Sequence, residues 1–450
     1  MKKYLFSSLA MIATSSIMLS CSSASSELTE DWEEPHKVVN WATSPQPIEL
    51  TEEQKVFAND NNGFTFNFIK AVNDINTSGA SFIYSPLSIT YLLGMTNDAA
   101  TGTTEKEIEQ TLGFHEGGIQ AVNEYCKKLI EGLPKVDESV KFNIANAIFL
   151  NKQYKLKKQF EQDMQYYYDA KAEALDFSSP QAADVINRWC KEKTHDMIPK
   201  VLKKTDDKMV SYLLNAIYFK ADWTSKFDTK YTKTETFTKE NGQTQLPLMH
   251  QKVLIEYAKN EIFSALKIPY GKNFWTMTVM LPEEGKTTDD IINELAKSSS
   301  NKTTQDNPWE ILQNNNSRLY EVDLKLPRFE TASDTQKLKN EEKLIGVLKK
   351  MGIQRAFTPE GSEIPNMCES SDGMGGMNLY ISMMQQIAKI EVNEEGSEAA
   401  AVTIGGFENT CTGPEPEYPK ATFHANRPFV YVISEASSGV ILFVGKFTGI

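Results

Sequence analysis

The sequence predicts a mixed α+β fold in one domain with large antiparallel sheets, and three observations carry that prediction. Helical patterns come early, and later helices fall between long strand-like runs with no βαβ rhythm. The runs include clean period-two stretches: Val322, Leu324 and Leu326 alternate with Glu321, Asp323 and Lys325, as in a half-buried strand. Only Pro and Gly punctuation breaks the patterning over 51–450, so this span reads as one domain, although 450 residues would allow about three.

The first twenty residues stand outside that pattern. Lys2 and Lys3 give a basic start, Leu5 to Leu19 is mostly apolar, and Ser20 precedes Cys21. This reads as a signal peptide over 1–20. It resembles a bacterial lipoprotein signal, in which the cysteine becomes the lipidated first residue; ordinary cleavage nearby is the alternative. Residues 21–50 are polar, acidic and Pro-containing, and read as a tether. The acidic run Glu30–Glu34 resembles surface-export signals of some Gram-negative lipoproteins, or is a solvated linker. An exported chain, lipid-anchored to a bacterial outer membrane and facing either the periplasm or the cell surface, is the resulting expectation. No other stretch is long and apolar enough to span a bilayer.

From residue 51 the elements follow in order. Thr51 and Gln54 form a capping box, with Val56, Phe64, Phe68, Ile69 and Val72 on a broken helical pattern behind it. A strand fragment and helices follow in 82–114. Strands are expected at 142–150, 211–219, 274–282 and 318–329, and helices at 181–202 and 335–353. Two apolar strands about a turn close the chain in 429–447. Residues 297–317 read as a polar surface insertion.

Composition and motifs exclude several functions. At 40% hydrophobic residues the chain can build a large core. A net charge of -13 argues against nucleic acid as a partner. Cys21, Cys126, Cys190, Cys368 and Cys411 are far apart and form neither a disulfide framework nor a zinc site. There is no GxSxG, HExxH or Walker A motif, and the five histidines are scattered. Ser264 and Lys267 match SxxK in a region that reads as strand, which supports no catalysis. Gly373–Met377 reads as a flexible connection. No enzyme, metal or cofactor is expected.

One segment is unusual. Glu394–Thr403 reads EEGSEAAAVT after the strand-like IAKIEVN, and the loop runs on for about 25 residues, a length that in a compact domain is usually functional. As a strand it would put Ser397, Ala399, Ala401 and Thr403 on one face, all small, with Glu398, Ala400 and Val402 on the other. Gly396 could act as a hinge. Such a strand could slip between two existing strands without burying a charge; a plain exposed loop is the alternative.

Here the residues resemble the serpin family, over nearly all of 51–450. FIYSPLSI (82–89), NAIFLNKQYKLKKQF (146–160), VINRWCKEKTHDMI (185–198), LLNAIYFKADW (213–223), YISMMQQIAKIEVNEEGSEAAA (380–401) and HANRPFVYVI with ILFVGKF (424–433, 441–447) match its motifs in order. The resemblance implies three β-sheets, eight or nine helices and an exposed reactive loop, here about 394–420. It also implies that the loop, once cut by a protease, inserts into the main sheet and traps the acyl-enzyme, a mechanism of strand addition and released strain.

By the resemblance, Ser85, Pro86, Ser88 and Asn215 belong to the region where the sheet parts. Gln386 stands there in place of a customary histidine, and Trp223 marks the top of the sheet, after Ala221 and Asp222 in place of a glycine and a variable residue. Glu394, Gly396, Ser397, Glu398, Ala399, Ala400, Ala401 and Thr403 match an inhibitory hinge. Counting about seventeen residues from Glu394 gives Thr410–Cys411 as the bait bond; counting back from HANRPF falls nearer Pro414 or Glu417. No Lys or Arg lies between Gly396 and Pro419, against a trypsin-like target. Thr410 suits an elastase- or subtilisin-like pocket, and Phe407 a papain-like or chymotrypsin-like one. The expected protein is a monomeric protease inhibitor; a non-inhibitory serpin acting as a binding or structural module is the alternative.

Overall fold

The computed structural model describes residues 45–76, 79–298, 318–340, 343–371, 378–397 and 417–449. Its first helix, α1 (Glu52–Ile75), starts on the capping box that the sequence predicts. Thr51 Oγ1 accepts from Gln54 N and Gln54 Oε1 from Thr51 N, each at 3.1 Å. After β1 (Phe82–Tyr84), Ser85 caps α2 (Pro86–Ala99), and Pro86 occupies the first turn, where its missing N–H costs nothing. Helix α2 is buried on almost every side. Packed against it are α3 (Gly102–Leu112), α4 (Gly118–Gly132) and α5 (Lys158–Tyr168). The remaining described α-helices are α6 (Gln181–Lys193), α7 (Thr288–Ser298) and α8 (Lys343–Met351). That makes eight among the described residues, within the expected range.

The strands form three sheets. The six-stranded sheet contains β2 (Lys141–Asn151), β4 (Ala170–Leu175), β5 (Ser211–Asp222), β11 (Phe329–Asp334), β13 (Ile387–Val392) and the two-residue β14 (Gly396–Ser397). Its order is β11-β13-β14-β5-β2-β4. A two-stranded ribbon joins β3 (Tyr154–Leu156) to β12 (Cys368–Ser370). The nine-stranded sheet collects β6 (Lys233–Lys239), β7 (Gly242–Lys259), β8 (Phe263–Tyr270), β9 (Trp275–Pro282), β10 (Arg318–Pro327), β15 (Lys420–His424), β16 (Phe429–Glu435) and β17 (Ile441–Phe447), with β1. Strands β16 and β17 are buried along their whole length, as their continuous apolar runs require. In β10, Val322, Leu324 and Leu326 face the core, as the alternation predicts.

Several sequence expectations need correction. The helix expected over 181–202 ends at Lys193, because His195 and Asp196 turn left-handed, at φ 47° and 70°, and Pro199 follows. Residues 194–202 form a strap instead. Asn187 Oδ1 accepts from Val201 N at 2.8 Å and Leu202 N at 2.9 Å, and its Nδ2 donates to Leu202 O at 2.8 Å. The helix expected over 335–353 is a short 3-10 turn, Thr335–Lys337, followed by α8. The strand expected over 318–329 breaks at Arg328, where β10 ends in one sheet and β11 begins in another. Lys297 and Ser298 belong to α7, and the rest of the polar insertion, 299–317, lies outside the described residues with all of Gly373–Met377. Ser264 and Lys267 sit three apart on β8, hence on opposite faces, and Lys267 pairs with Glu256 at 3.0 Å.

Candidate functional site: an unfilled strand position

The six-stranded sheet has an opening between β5 and β13. Strand β14 fills only its top: Gly396 lies opposite Asp222, Ser397 opposite Ala221 on β5, and Ser397 also faces Val392 on β13. Below Ser397, the edge of β5 over Ser211–Ile217 and that of β13 have no described strand between them. A cavity of about 610 Å³ occupies this position, lined by both edges, by Ser85 and Ser88 beneath, and by Thr194, Met197, Ile198, Val201 and Leu202 of the strap. We call it the slot.

The top of the slot is built around the hinge predicted from sequence. Strand β13 ends at Val392, and Asn393 turns the chain back. Its Oδ1 accepts from Glu395 N and Gly396 N at 3.0 and 3.3 Å, and its N donates to Gly396 O at 2.9 Å. Gly396 has φ 155°, and a Cβ there would collide with the Ala221 carbonyl and come within 2.6 Å of Asp222 Cα. Only glycine fits, because any side chain would meet the β5 backbone. Ser397 points inward as the period-two reading requires, and its hydroxyl lies 2.7 Å from Tyr270 Oη. Trp223 stacks on Tyr270 with centroids 4.3 Å apart. Its indole donates to Asn393 O at 2.8 Å and its backbone N to Glu395 O at 2.8 Å.

Two glutamates fasten the turn. Glu394 is 3% exposed and accepts from Arg328 Nε at 3.1 Å, Arg328 Nη2 at 2.5 Å and Thr232 Oγ1 at 2.7 Å. Burial works against its carboxylate, but Arg328 and Thr232 outweigh it and hold its pKa below the usual value. Glu395 meets Lys226 Nζ at 2.5 Å, which also pairs with Asp222 at 2.9 Å. The sequence points to Glu394 but not to Arg328, Thr232, Lys226 or Tyr270. Each lies far along the chain, and no local spacing marks it.

Lower down, Gln386 and Ser85, two of the residues expected where the sheet parts, are joined directly. Gln386, just before β13, donates from Nε2 to Ser85 O at 2.5 Å and accepts at Oε1 from Ser85 N at 3.1 Å. Its backbone N donates to Thr335 Oγ1 at 2.8 Å. A planar amide can bind one residue's N–H and C=O together, so glutamine holds β13 to the start of α2 by two bonds. Ser88 is buried and its N–H is capped by Ser85 Oγ at 3.4 Å. Asn215 Nδ2 donates to Asn146 Oδ1 at 2.9 Å, while its buried Oδ1 has no partner beside the slot.

The rest of the predicted site lies outside the described residues: Glu398, Ala399, Ala400, Ala401, Thr403, the bait pair Thr410–Cys411, and Cys21. The three described cysteines, Cys126, Cys190 and Cys368, are free and buried. Burial pushes the Cys126 and Cys190 thiols up to about 12 and Cys368 to about 11, so none is poised as a nucleophile.

Comparison with known proteins matches this architecture. A family model described as Serpin (serine protease inhibitor) matches residues 59–450. An uncharacterized serpin-like protein of Thermococcus kodakarensis is 31% identical over 402 residues, covering 88% of this chain and 86% of that protein. The leukocyte elastase inhibitor of Sus scrofa is 31% identical over 397 residues, covering 86% and 98%. The crystal structure of the thermophilic serpin tengpin in its native state superposes with a TM-score of 0.74 at 26% identity, covering 91% of this chain and 97% of that one.

Proposed function

This chain belongs to the serpin family, which includes protease inhibitors, and from that premise we propose that it is a single-use inhibitor of endopeptidases. One observation supports the reading above all: the slot is open, and its first rung is the chain's own hinge. In the proposed sequence a target serine attacks the carbonyl of Thr410. The peptide bond breaks, Cys411 leaves as the new amino terminus, and an acyl-ester joins protease to inhibitor. The freed strand then extends β14 downward between β5 and β13, gaining ladder hydrogen bonds on both sides. The small face of Ser397, Ala399, Ala401 and Thr403 enters without clash, and the protease, still attached, is carried along the sheet.

The bait residues favour elastase- or subtilisin-like serine proteases, with papain-like cysteine proteases as the second class. The basic and apolar start, Cys21 and the acidic tether support a lipid anchor and a place on the outer surface of a bacterial envelope. The test mixes the soluble form, residues 22–450, with elastase-, subtilisin-, chymotrypsin-, trypsin- and papain-like proteases, and boils each mixture in SDS. The expected outcome is a stable band near the summed masses, with the released fragment beginning at Cys411. Loop cleavage across the panel with no such band and no thermal gain would sink the inhibitory reading and favour a binding or structural module.

A further inference from the structure

Methionines gather at the slot. Met197, Met209, Met367, Met383 and Met384 line it, from the strap, the approach to β5, the approach to β12 and the approach to β13. Seven described methionines are buried. The four that reach solvent are Met197, Met209, Met351 and Met383, and three of these four line the slot. Among the described methionines, these part-exposed side chains are the ones accessible to an oxidant in solution.

One of them spans the opening. Ser382 Oγ, on the chain leading to β13, donates to Met209 Sδ, on the chain leading to β5, at 3.2 Å. This weak bond ties one rim to the other at the lower end.

We propose that Met209, Met197 and Met383 form an oxidation site whose sulfoxides block filling of the slot, so that peroxides switch the inhibitor off. In each step the thioether sulfur attacks one peroxide oxygen and the O–O bond breaks. The sulfur is oxidised to S=O, and the peroxide is reduced to one water. Two consequences follow. A sulfoxide oxygen accepts a stronger hydrogen bond than a thioether, so oxidised Met209 grips Ser382 and holds the rims together. In the open slot each sulfoxide is hydrated, whereas a strand that fills the slot covers its lining and strips that water away. Unoxidised methionine has the opposite character: unbranched and adaptable, it lines the empty slot and repacks when a strand arrives.

This inference rests on the inhibitory reading, and its test separates the two. The 22–450 form is treated with hydrogen peroxide until peptide mapping shows sulfoxide at the three sites. Two quantities are read: the fraction of chain in SDS-stable complex with a protease that the untreated form traps, and uptake of a synthetic peptide of residues 397–408 into the slot. Both are expected to fall at least about fivefold on oxidation. The volume-conserving variant M209L should retain more of both after the same treatment, and M197L/M209L/M383L nearly all; M351L should respond like the unsubstituted chain. Unchanged uptake with all three sulfoxides in place overturns the proposal, as does oxidation of Met351 ahead of the slot methionines. If the untreated chain traps no protease, the inhibitory reading fails, and peptide uptake still decides whether oxidation closes the slot.

Discussion

Glu394 shows how much one side chain can hold. Its carboxylate is almost fully buried, and three donors from Arg328 and Thr232 converge on it. Arg328 itself stays half exposed, which tempers the energy of the pair. Glu394→Gln is expected to lower stability at pH 7 by about 2 kcal/mol, measured by urea unfolding. The folded-state pKa is depressed, so the stabilisation is present above the unfolded value near 4.5 and is lost as pH falls through the folded one. The gap between the natural chain and the variant should therefore close on acidification from pH 5 to pH 3; a constant gap would mean that the ionised carboxylate is not what stabilises the hinge.

At the scale of elements, β14 is two residues long and defines the slot. Ser397 is 1% exposed against Tyr270, so Ser397→Arg must either bury a charge or keep β14 out. On the inhibitory reading proposed above, the fraction of cleaved chain that ends in covalent complex should fall at least about tenfold on a gel, while cleavage itself continues. Trapping at the natural level would mean that the hinge need not enter at this position. The element scale also shows what the sequence reveals. Strands β2, β5, β9, β16 and β17 were legible because apolar or alternating runs mark them locally. The strap was not, since Ala183, Ile186 and Trp189 set a helical period that the apolar residues Met197, Ile198, Val201 and Leu202 prolong while the backbone has already turned at His195. Strands β6 and β7 were not singled out because β7 runs through Pro247 and mixes polar with apolar residues. In the site, Ser85, Gln386, Trp223, Glu394, Gly396 and Ser397 are marked by motif. Arg328 and Tyr270 were not, because their roles arise only where distant strands meet.

For the whole molecule, the slot makes the intact fold less than fully bonded. The edge of β5 over Ser211–Ile217 and that of β13 face a cavity where ladder partners would sit. Filling it with roughly a dozen residues, each adding about 0.5–1.5 kcal/mol per hydrogen bond, should raise the melting temperature by about 20 °C or more. Calorimetry of intact and loop-cleaved protein checks this; equal melting points would mean that the cut strand stays outside.

The two ends of the loop are moored in different sheets. Ser397 belongs to the six-stranded sheet, whereas β15 lies parallel to β10 in the nine-stranded one. Beyond β15, β16 and β17 are wholly buried, and β17 pairs with β1 from the other end of the sequence. A cut between Ser397 and Lys420 therefore leaves a short carboxy-terminal piece that has nowhere to go. The nicked molecule should run as one species on a native column and as two only in denaturant. On the inhibitory reading proposed above, every spent copy would thus keep a durable record of its single encounter, with both halves of the cut bond carried in one particle.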